Sequence, residues 1–179
     1  MTVLLTPRLT LTPCQPADRP DFVALERDPE VMRFLNGGQP VDRANPDPHA
    51  AFLMPEGTEP HVWTARRTTG AAFVGWFCLW PEADGSAELG YRLRRQDWGQ
   101  GLASEGATAL VGWGFATRGH ARIFAGTMAV NLGSRRVLER LGLTHTRTTH
   151  ADWPTPIPGS DKGEVEYAIT RSDWAARHL

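Results

Sequence analysis

The stretch Asp-Trp-Gly-Gln-Gly-Leu-Ala-Ser-Glu at residues 97–105 constrains this sequence more than any other. It follows a strand-like run at 87–94 and leads into apolar residues at helical spacing. Glycines in such a turn let the backbone approach a ligand, and the first N–H groups of the helix have no intrahelical partner. Because the helix dipole adds positive charge there, the pattern predicts an anion site that suits a diphosphate group. A plain β–α turn is the alternative.

The glycine spacing excludes two other phosphate-binding motifs. No Gly-Lys-Ser/Thr follows, and no G-x-G-x-x-G is present. The frame 98–103 instead resembles the pyrophosphate loop Gln/Arg-x-x-Gly-x-Gly/Ala of the GNAT superfamily of acyl-CoA-dependent N-acyltransferases, with Trp98 at the first position. One branch of this superfamily resembles the ribosomal-protein N-terminal acetyltransferases (RimJ/RimL type). Residues 98–105 match the loop sequence of that branch at every position.

A second segment, 131–143, is similar to the branch pattern Asn-x-x-Ser-x-x-Val/Leu-Leu/Met-x-Lys/Arg-x-Gly-Phe, with Leu143 in place of Phe. Asn131 is a good helix N-cap, and Gly142 stands where a C-terminal glycine belongs. Alone, this segment reads as an ordinary amphipathic helix. Together, the two segments favour the resemblance, which extends over about residues 4–170.

The resemblance implies a single GNAT-like N-acetyltransferase domain over residues 1–179. The predicted fold is α+β: a mixed, mostly antiparallel seven-stranded sheet flanked by helices and splayed between strands 4 and 5. The apolar patterns place strands at 3–12, 62–65, 72–80, 87–94, 121–128, 143–149 and 164–170. They place one or two helices within 18–34, broken near 28–29, and further helices at 103–117 and 131–141. A short helix at 50–53 and a rigid loop at 153–159 are also predicted.

Composition narrows the function classes. A net charge of −1 gives no electrostatic case for nucleic acid, although Arg92, Arg94 and Arg95 adjoin the predicted diphosphate turn. No signal peptide and no apolar run long enough for a membrane span are seen, so we expect a cytoplasmic protein. We expect it to be a monomer or a homodimer. Cys14 and Cys78 favour two buried thiols and leave a disulfide open. No spacing predicts a metal site.

The resemblance implies acetyl-CoA as the co-substrate and an amine as the acceptor. Its pantetheine would pair with the backbone of the fourth strand, and its diphosphate would meet the N–H groups of 99–104. Arg136 or Arg140 would meet the 3′-phosphate, unless both lie on a solvated helix face. The cofactor-binding residues so implied are Tyr91, Leu93, Trp98, Gly99, Gln100, Gly101, Leu102, Ala103, Ser104, Asn131, Ser134 and Arg136.

Amine acylation needs a placed thioester, a deprotonated amine and a stabilised oxyanion. Glu88 is the candidate base, on the strand face opposite Ala87 and Leu89, where burial would raise its pKa; a solvent-facing or salt-bridged glutamate is the alternative. Ser134 is the candidate general acid, because Leu138 stands where much of the superfamily has tyrosine. Ser134 would otherwise serve as a helix cap, and a thiolate whose conjugate acid has a pKa near ~8.5 can leave without an acid.

The predicted function is acetyl transfer to a primary amine, either a protein N terminus or a small molecule. A bulkier donor such as succinyl-CoA and a non-catalytic acyl-CoA-binding module are the alternatives. Weaker candidates complete the site. They are His145 or His150 as a second base, and Trp63, Trp76 and Trp80 as acceptor-side residues or, more simply, core.

Overall fold

The computed structural model describes residues 2–35, 38–40, 56–151 and 156–178. Within these ranges the strands form one sheet in the order β1-β2-β3-β4-β5-β6-β8-β7. The strands are β1 (Leu4–Leu5), β2 (Leu9–Pro13), β3 (Val62–Arg67), β4 (Phe73–Pro81), β5 (Ser86–Leu93), β6 (Arg122–Met128), β7 (Thr144–Thr149) and β8 (Glu164–Thr170). The α-helices are α1 (Arg19–Glu26), α2 (Pro29–Met32), α3 (Leu102–Trp113), α4 (Leu132–Arg140) and α5 (Arg171–His178).

The N-terminal strand predicted at 3–12 is two strands, so the sheet has eight strands where seven were expected. The break lies at Pro7, which has no N–H for a ladder hydrogen bond. A turn forms there: Thr6 N donates to Leu9 O at 2.9 Å, and Leu9 N donates to Thr6 Oγ1 at 2.9 Å. The predicted fourth and fifth strands are therefore β5 and β6.

The predicted splay between these two strands is confirmed. They pair in parallel only where Ser86–Glu88 faces Arg122–Phe124, whereas the other neighbouring strands pair antiparallel. After Glu88, β5 has no strand partner on the β6 side within the described residues. The two strands therefore diverge and leave a gap in the middle of the sheet.

Each face of the sheet has its own core. On one face, α3 and α4 cover a cluster that includes Phe77 and Leu79. On the other face, α1 and α2 cover a smaller cluster that includes Phe22, Trp76 and Cys78. Helix α3 packs so closely on the sheet that residue 106 must be glycine, because a Cβ there would clash with the ring of Phe77. Helices α3 and α4 thus flank the gap on one face of the sheet.

Most of the predicted helices have the expected ends. The chain between 18 and 34 breaks between α1 and α2, as predicted, with Asp28 capping α2. The helix predicted at 103–117 is α3 followed by a π-helical turn at Gly114–Arg118, which ends at Gly119 with φ of 75°. Both cysteines are free and buried. The helix predicted at 50–53 and the segment 153–155 lie outside the described residues.

No helix in the described part of the chain is both long and apolar enough to cross a membrane.

Candidate active site

The turn from Trp98 to Gly101, here called the glycine loop, lies between β5 and α3, as the sequence predicts. Gly99 and Gly101 have φ of 73° and 78°, in the left-handed region that favours glycine. The first helical bond runs from Glu105 N to Gly101 O at 3.0 Å, so the N–H groups of 102–104 precede it. A Cβ at Gly99 would meet nothing within 4 Å. The loop therefore presents backbone donors beside open space, as a diphosphate needs.

The buried carboxylate of Asp97 stabilises the residues on either side of the glycine loop. Asp97 is 4% exposed and accepts hydrogen bonds from Arg67 Nη2 at 2.7 Å and from Arg94 Nε at 3.0 Å. Arg67 also donates to Gln100 Oε1 at 2.8 Å. The arginines of 92–95 are thus only partly available to an anion, since Arg92 is buried and Arg94 is bound to Asp97.

A second carboxylate fixes the start of α3. Glu105 accepts hydrogen bonds from Thr6 Oγ1 at 2.6 Å and from Arg8 N and Nε at 2.8 and 2.6 Å. Although burial raises the pKa of Glu105, these hydrogen bonds hold it below the usual value. Arg8 Nη1 also donates to Gln100 O at 2.9 Å. The loop is thereby tied to the N-terminal hairpin, a contact that the local motif does not reveal.

The tryptophan that replaces Gln or Arg at the first loop position has a structural role. Trp98 is 43% exposed, and its Nε1 donates to Leu93 O at 2.7 Å. The Leu93 carbonyl, on the strand whose backbone is predicted to pair with pantetheine, is thus already bonded within the protein. Leu102 is buried and holds α3 in the core, while Ser104 Oγ is buried with no hydrogen-bond partner in the described residues.

Glu88 lies where the gap begins. It is the last β5 residue paired with β6, between Trp80 on β4 and Phe124 on β6, and it is half-buried. Its register puts it on the sheet face opposite α3 and α4, here called the Glu88 face, with Trp80 and Phe124. Burial raises the pKa of Glu88, and the negative charges of Glu82, Glu164 and Glu166 raise it further. A carboxylate so raised suits proton acceptance near neutral pH.

Two glycines on the Glu88 face allow neighbouring side chains to approach the strands beside the gap. Gly90 follows Glu88 on the same face of β5, and a Cβ there would lie 2.6 Å from Cys78 Sγ. Gly126 follows Phe124 on β6 and is exposed; a Cβ there would lie 3.0 Å from Glu164 Oε1. No side chain projects from either strand at these positions. The Cys78 thiol and the Glu164 carboxylate occupy the space that side chains at Gly90 and Gly126 would fill.

On the opposite face, the start of α4 borders the gap. Asn131 caps the helix as predicted: its Oδ1 accepts from Ser134 N at 3.2 Å, and its Nδ2 donates to Thr127 Oγ1 at 3.1 Å. The Ser134 hydroxyl lies 3.0 Å from the hydroxyl of Tyr91. This side-chain contact joins β5 to α4, and sequence reasoning missed it because it considered only the Tyr91 backbone.

The remaining predicted residues divide between the two faces. Leu138, at the superfamily tyrosine position, is fully buried, whereas Arg136 is exposed on α4. Trp63 is buried on the α3 side against Trp113, so its suggested acceptor-side role is wrong. His145 packs edge-on against Tyr167, whose side chain belongs to the α3-side core, so His145 does not join Glu88. Trp76 is core, and only Trp80 of the three tryptophans flanks Glu88.

No group of three His, Cys, Asp or Glu side chains in the described ranges could hold a metal ion.

Comparison with known proteins gives one consistent result. Residues 8–144 match the family model of the acetyltransferase (GNAT) domain. The chain is 33% identical, over 96% of its length and 77% of the relative, to a protein of Aspergillus fumigatus named FsC-acetyl coenzyme A-N(2)-transacetylase. It is 28% identical, over 79% of its length and 82% of the relative, to an N-acetyltransferase p20 of Bacillus licheniformis.

Solved structures share the fold. A GNAT-family acetyltransferase from Bacillus anthracis superposes with a TM-score of 0.77 at 19% identity, covering 96% of this chain and 99% of the other. The spermidine N-acetyltransferase of Vibrio cholerae, solved with CoA and spermine, superposes with a TM-score of 0.71 at 14% identity, covering 93% and 98%. The glycine loop, the splayed sheet and the family match lead to one conclusion: this chain is an acyltransferase enzyme and belongs to the GNAT acetyltransferase family.

Proposed function

We propose that this enzyme transfers the acetyl group of acetyl-CoA to the primary amine of a small molecule, with Glu88 as the base. The observation that carries the proposal is the position of Glu88 at the point where β5 and β6 part, half-buried and among carboxylates. An acceptor amine entering from the Glu88 face would meet this carboxylate between Trp80 on β4 and Phe124 on β6.

The cofactor side of the proposal rests on the opposite wall of the gap. The glycine loop and the N–H groups of 102–104 would hold the diphosphate. The free edge of β5 at Tyr91 and Leu93 would hold the pantetheine, with Asn131 and Ser134 across the gap. Because the Leu93 carbonyl already accepts from Trp98, we assign its backbone N–H, rather than its carbonyl, to the ligand. The exposed Arg136 would meet the 3′-phosphate.

The chemistry needs no covalent enzyme intermediate. The neutral amine nitrogen attacks the thioester carbon, the C–N bond forms and the C–S bond breaks. The proton released by the nitrogen passes to Glu88 and then to water. The sulfur departs as a thiolate that faces the Ser134 hydroxyl and takes up a proton from water, because the pKa of a thiol is near ~8.5.

The acceptor class is supported by the name of a relative and opposed by a motif. The relative that aligns over 96% of this chain is named an acetyl-CoA N(2)-transacetylase, which favours an amine acceptor on a defined small compound. The match of 98–105 to the RimJ/RimL-type loop favours membership of that branch and a protein N terminus instead. We retain the N terminus as the second candidate. We further propose that the enzyme acts in the cytoplasm, as a monomer or homodimer.

The test is release of free CoA from acetyl-CoA, followed over a panel of small primary amines and of peptides with free N termini. We expect turnover with at least one small amine and the acetylated product by mass spectrometry. Succinyl-CoA in the same assay tests the bulkier donor. Turnover on peptides alone would establish the second acceptor class. Binding of acetyl-CoA without transfer to any amine or peptide would favour a non-catalytic acyl-CoA-binding module.

A further inference from the structure

The chain contains two tyrosines, and only one of them borders the gap. Tyr91 projects from β5 toward α4, with its ring 6.0 Å from that of Phe77. Its hydroxyl lies 3.0 Å from Ser134 Oγ and 3.4 Å from Ser134 O. Tyr167 lies on the other side of α4, where its hydroxyl accepts from Arg135 Nε and donates to Glu139 Oε1. The two phenols therefore have different partners on the same helix.

The hydrogen bonds around Ser134 allow two directions for its hydroxyl proton. The backbone N–H of Ser134 is taken by Asn131 Oδ1, which is the helix cap. The Ser134 hydroxyl has one proton and can also accept. If the Tyr91 hydroxyl donates to Ser134 Oγ, the serine proton is left free for a group in the gap. If the direction were reversed, the serine proton would be occupied.

We propose that Tyr91 is a positioning residue whose hydroxyl donates to Ser134 Oγ and so turns the serine proton toward the leaving sulfur. Burial raises the pKa of Tyr91 to about 12, so the phenol stays protonated and remains a donor at neutral pH. A hydroxyl that accepts a hydrogen bond is itself a stronger donor. The Tyr91–Ser134 pair would then stabilise the thiolate as the C–S bond breaks. This inference rests on the proposed function, because it assigns a partner to the proposed donor Ser134.

Titration of the thiol of bound CoA tests the pair without an acceptor. The thiolate absorbs in the ultraviolet, so its fraction can be followed against pH with CoA bound at saturation. We expect Tyr91→Phe and Ser134→Ala each to lower the thiolate fraction at a fixed pH roughly threefold to tenfold, the effect of one hydrogen bond. The double variant should show no further loss, and Ser134→Thr should restore the wild-type fraction. Tyr167→Phe is the matched control and should titrate like the wild type.

The outcomes separate the inference from the proposed function. An unchanged titration in Tyr91→Phe, whether or not Ser134→Ala changes it, would overturn the positioning role. Failure of the proposed function would appear elsewhere, as absence of CoA release over the amine panel. With an acceptor in hand, Tyr91→Phe should lower kcat and leave KM for acetyl-CoA unchanged. A rise in KM at unchanged kcat would assign Tyr91 to binding and contradict the proposal.

A second measurement covers the case in which Tyr91→Phe does not fold. In the Tyr167→Phe background, replacement of tyrosine by 3-fluorotyrosine labels Tyr91 alone and keeps its ring and hydroxyl. The fluorinated phenol is more acidic and a better donor, so the thiolate fraction of bound CoA should rise. The ¹⁹F resonance should also shift as the bound thiol ionises. No change in either signal would overturn the inference.

Discussion

The glycine loop and the Glu88 face border the same gap, but their charges are arranged in opposite ways. Around the loop, the carboxylates of Asp97 and Glu105 are matched by arginines from the N-terminal hairpin, β3 and the end of β5. Around Glu88, the charges that act on its pKa are other carboxylates, Glu82, Glu164 and Glu166. Arg122 and Arg147 pair with Glu166, so the imbalance is greatest toward Glu82 and Glu164.

This difference suits two kinds of recognition. Balanced side-chain charges make a rigid frame from which the loop offers only backbone N–H groups to an anion. Unbalanced carboxylates hold a proton more tightly and therefore make a base. The cofactor side should thus depend on backbone shape, and the acceptor side on side-chain charge.

Removal of the base should have the largest effect. Glu88→Gln keeps the size of the side chain but cannot accept the proton, so turnover should fall roughly 10²–10⁴-fold. Affinity for acetyl-CoA should stay the same by calorimetry, and the acid limb of the pH–rate profile should disappear. Glu139→Gln on α4, whose carboxylate contacts Tyr167, is the matched control. Near-normal turnover with an unshifted acid limb would exclude Glu88 as the base.

A change in the backbone of the glycine loop should break the cofactor side. Gly101→Val forces a β-branched residue to φ of 78° and fills the approach to the N–H groups. We expect affinity for acetyl-CoA to fall by roughly 100-fold or more, because diphosphate binding depends on those groups. Gly70→Val has a similar φ of 76° in the β3–β4 turn and open space around it, so it reports the cost of strain alone. Unchanged affinity in a folded Gly101→Val protein would contradict the loop assignment.

Removal of the Asp97 carboxylate should leave the arginine charges beside the glycine loop unbalanced. Asp97→Ala leaves Arg67 and Arg94 without their carboxylate, which should lower the free energy of unfolding by about 2–4 kcal/mol. Denaturant unfolding measures this change. Glu56→Ala removes an exposed ion pair with Arg19 and should cost less than about 1 kcal/mol. Equal losses in both variants would show that the Asp97 network does not rigidify the loop.

The N-cap of α4 should contribute less than the loop. Asn131→Ala should weaken CoA binding by about 1–2 kcal/mol if the amide donates to the pantetheine. Asn131→Asp keeps the oxygen that caps α4 and loses the amide donor, so it separates ligand binding from helix capping. Wild-type affinity in Asn131→Asp would assign Asn131 a structural role only.

Removal of a single carboxylate near Glu88 should have the smallest effect on turnover. It tests whether neighbouring negative charges set the pH dependence of the acceptor side. Negative neighbours raise the pKa of Glu88, so Glu164→Gln should lower that pKa and move the acid limb to lower pH. The ionised base then persists further into acid. Glu82→Gln should act in the same direction. A limb that moves to higher pH, or that stays in place in both variants, would mean that another group sets it.

The sequence was most informative where the signal is local. The glycine turn between a strand and a helix, the Asn131 cap and the break between α1 and α2 depend on neighbouring residues, and all are as predicted. The splay was implied by family resemblance rather than by spacing. The division of the first strand at Pro7 could have been read from proline chemistry, yet the alternating pattern of 3–12 concealed it.

The fold class came from the order of the predicted strands and helices together with the family resemblance. What the sequence by itself determined is the position of the glycine loop and the strand face that puts Glu88 opposite Ala87 and Leu89. These follow from backbone conformation and from the alternation of side chains along a strand. Only the tertiary structure decided which distant side chains meet. It brings Arg67 to Asp97 and Tyr91 to Ser134, and it places Glu88 where the charges of Glu82, Glu164 and Glu166 raise its pKa. The physical reason is that ion pairs, hydrogen bonds and pKa values depend on distances between residues that pairing and packing bring together, and no local pattern encodes those distances.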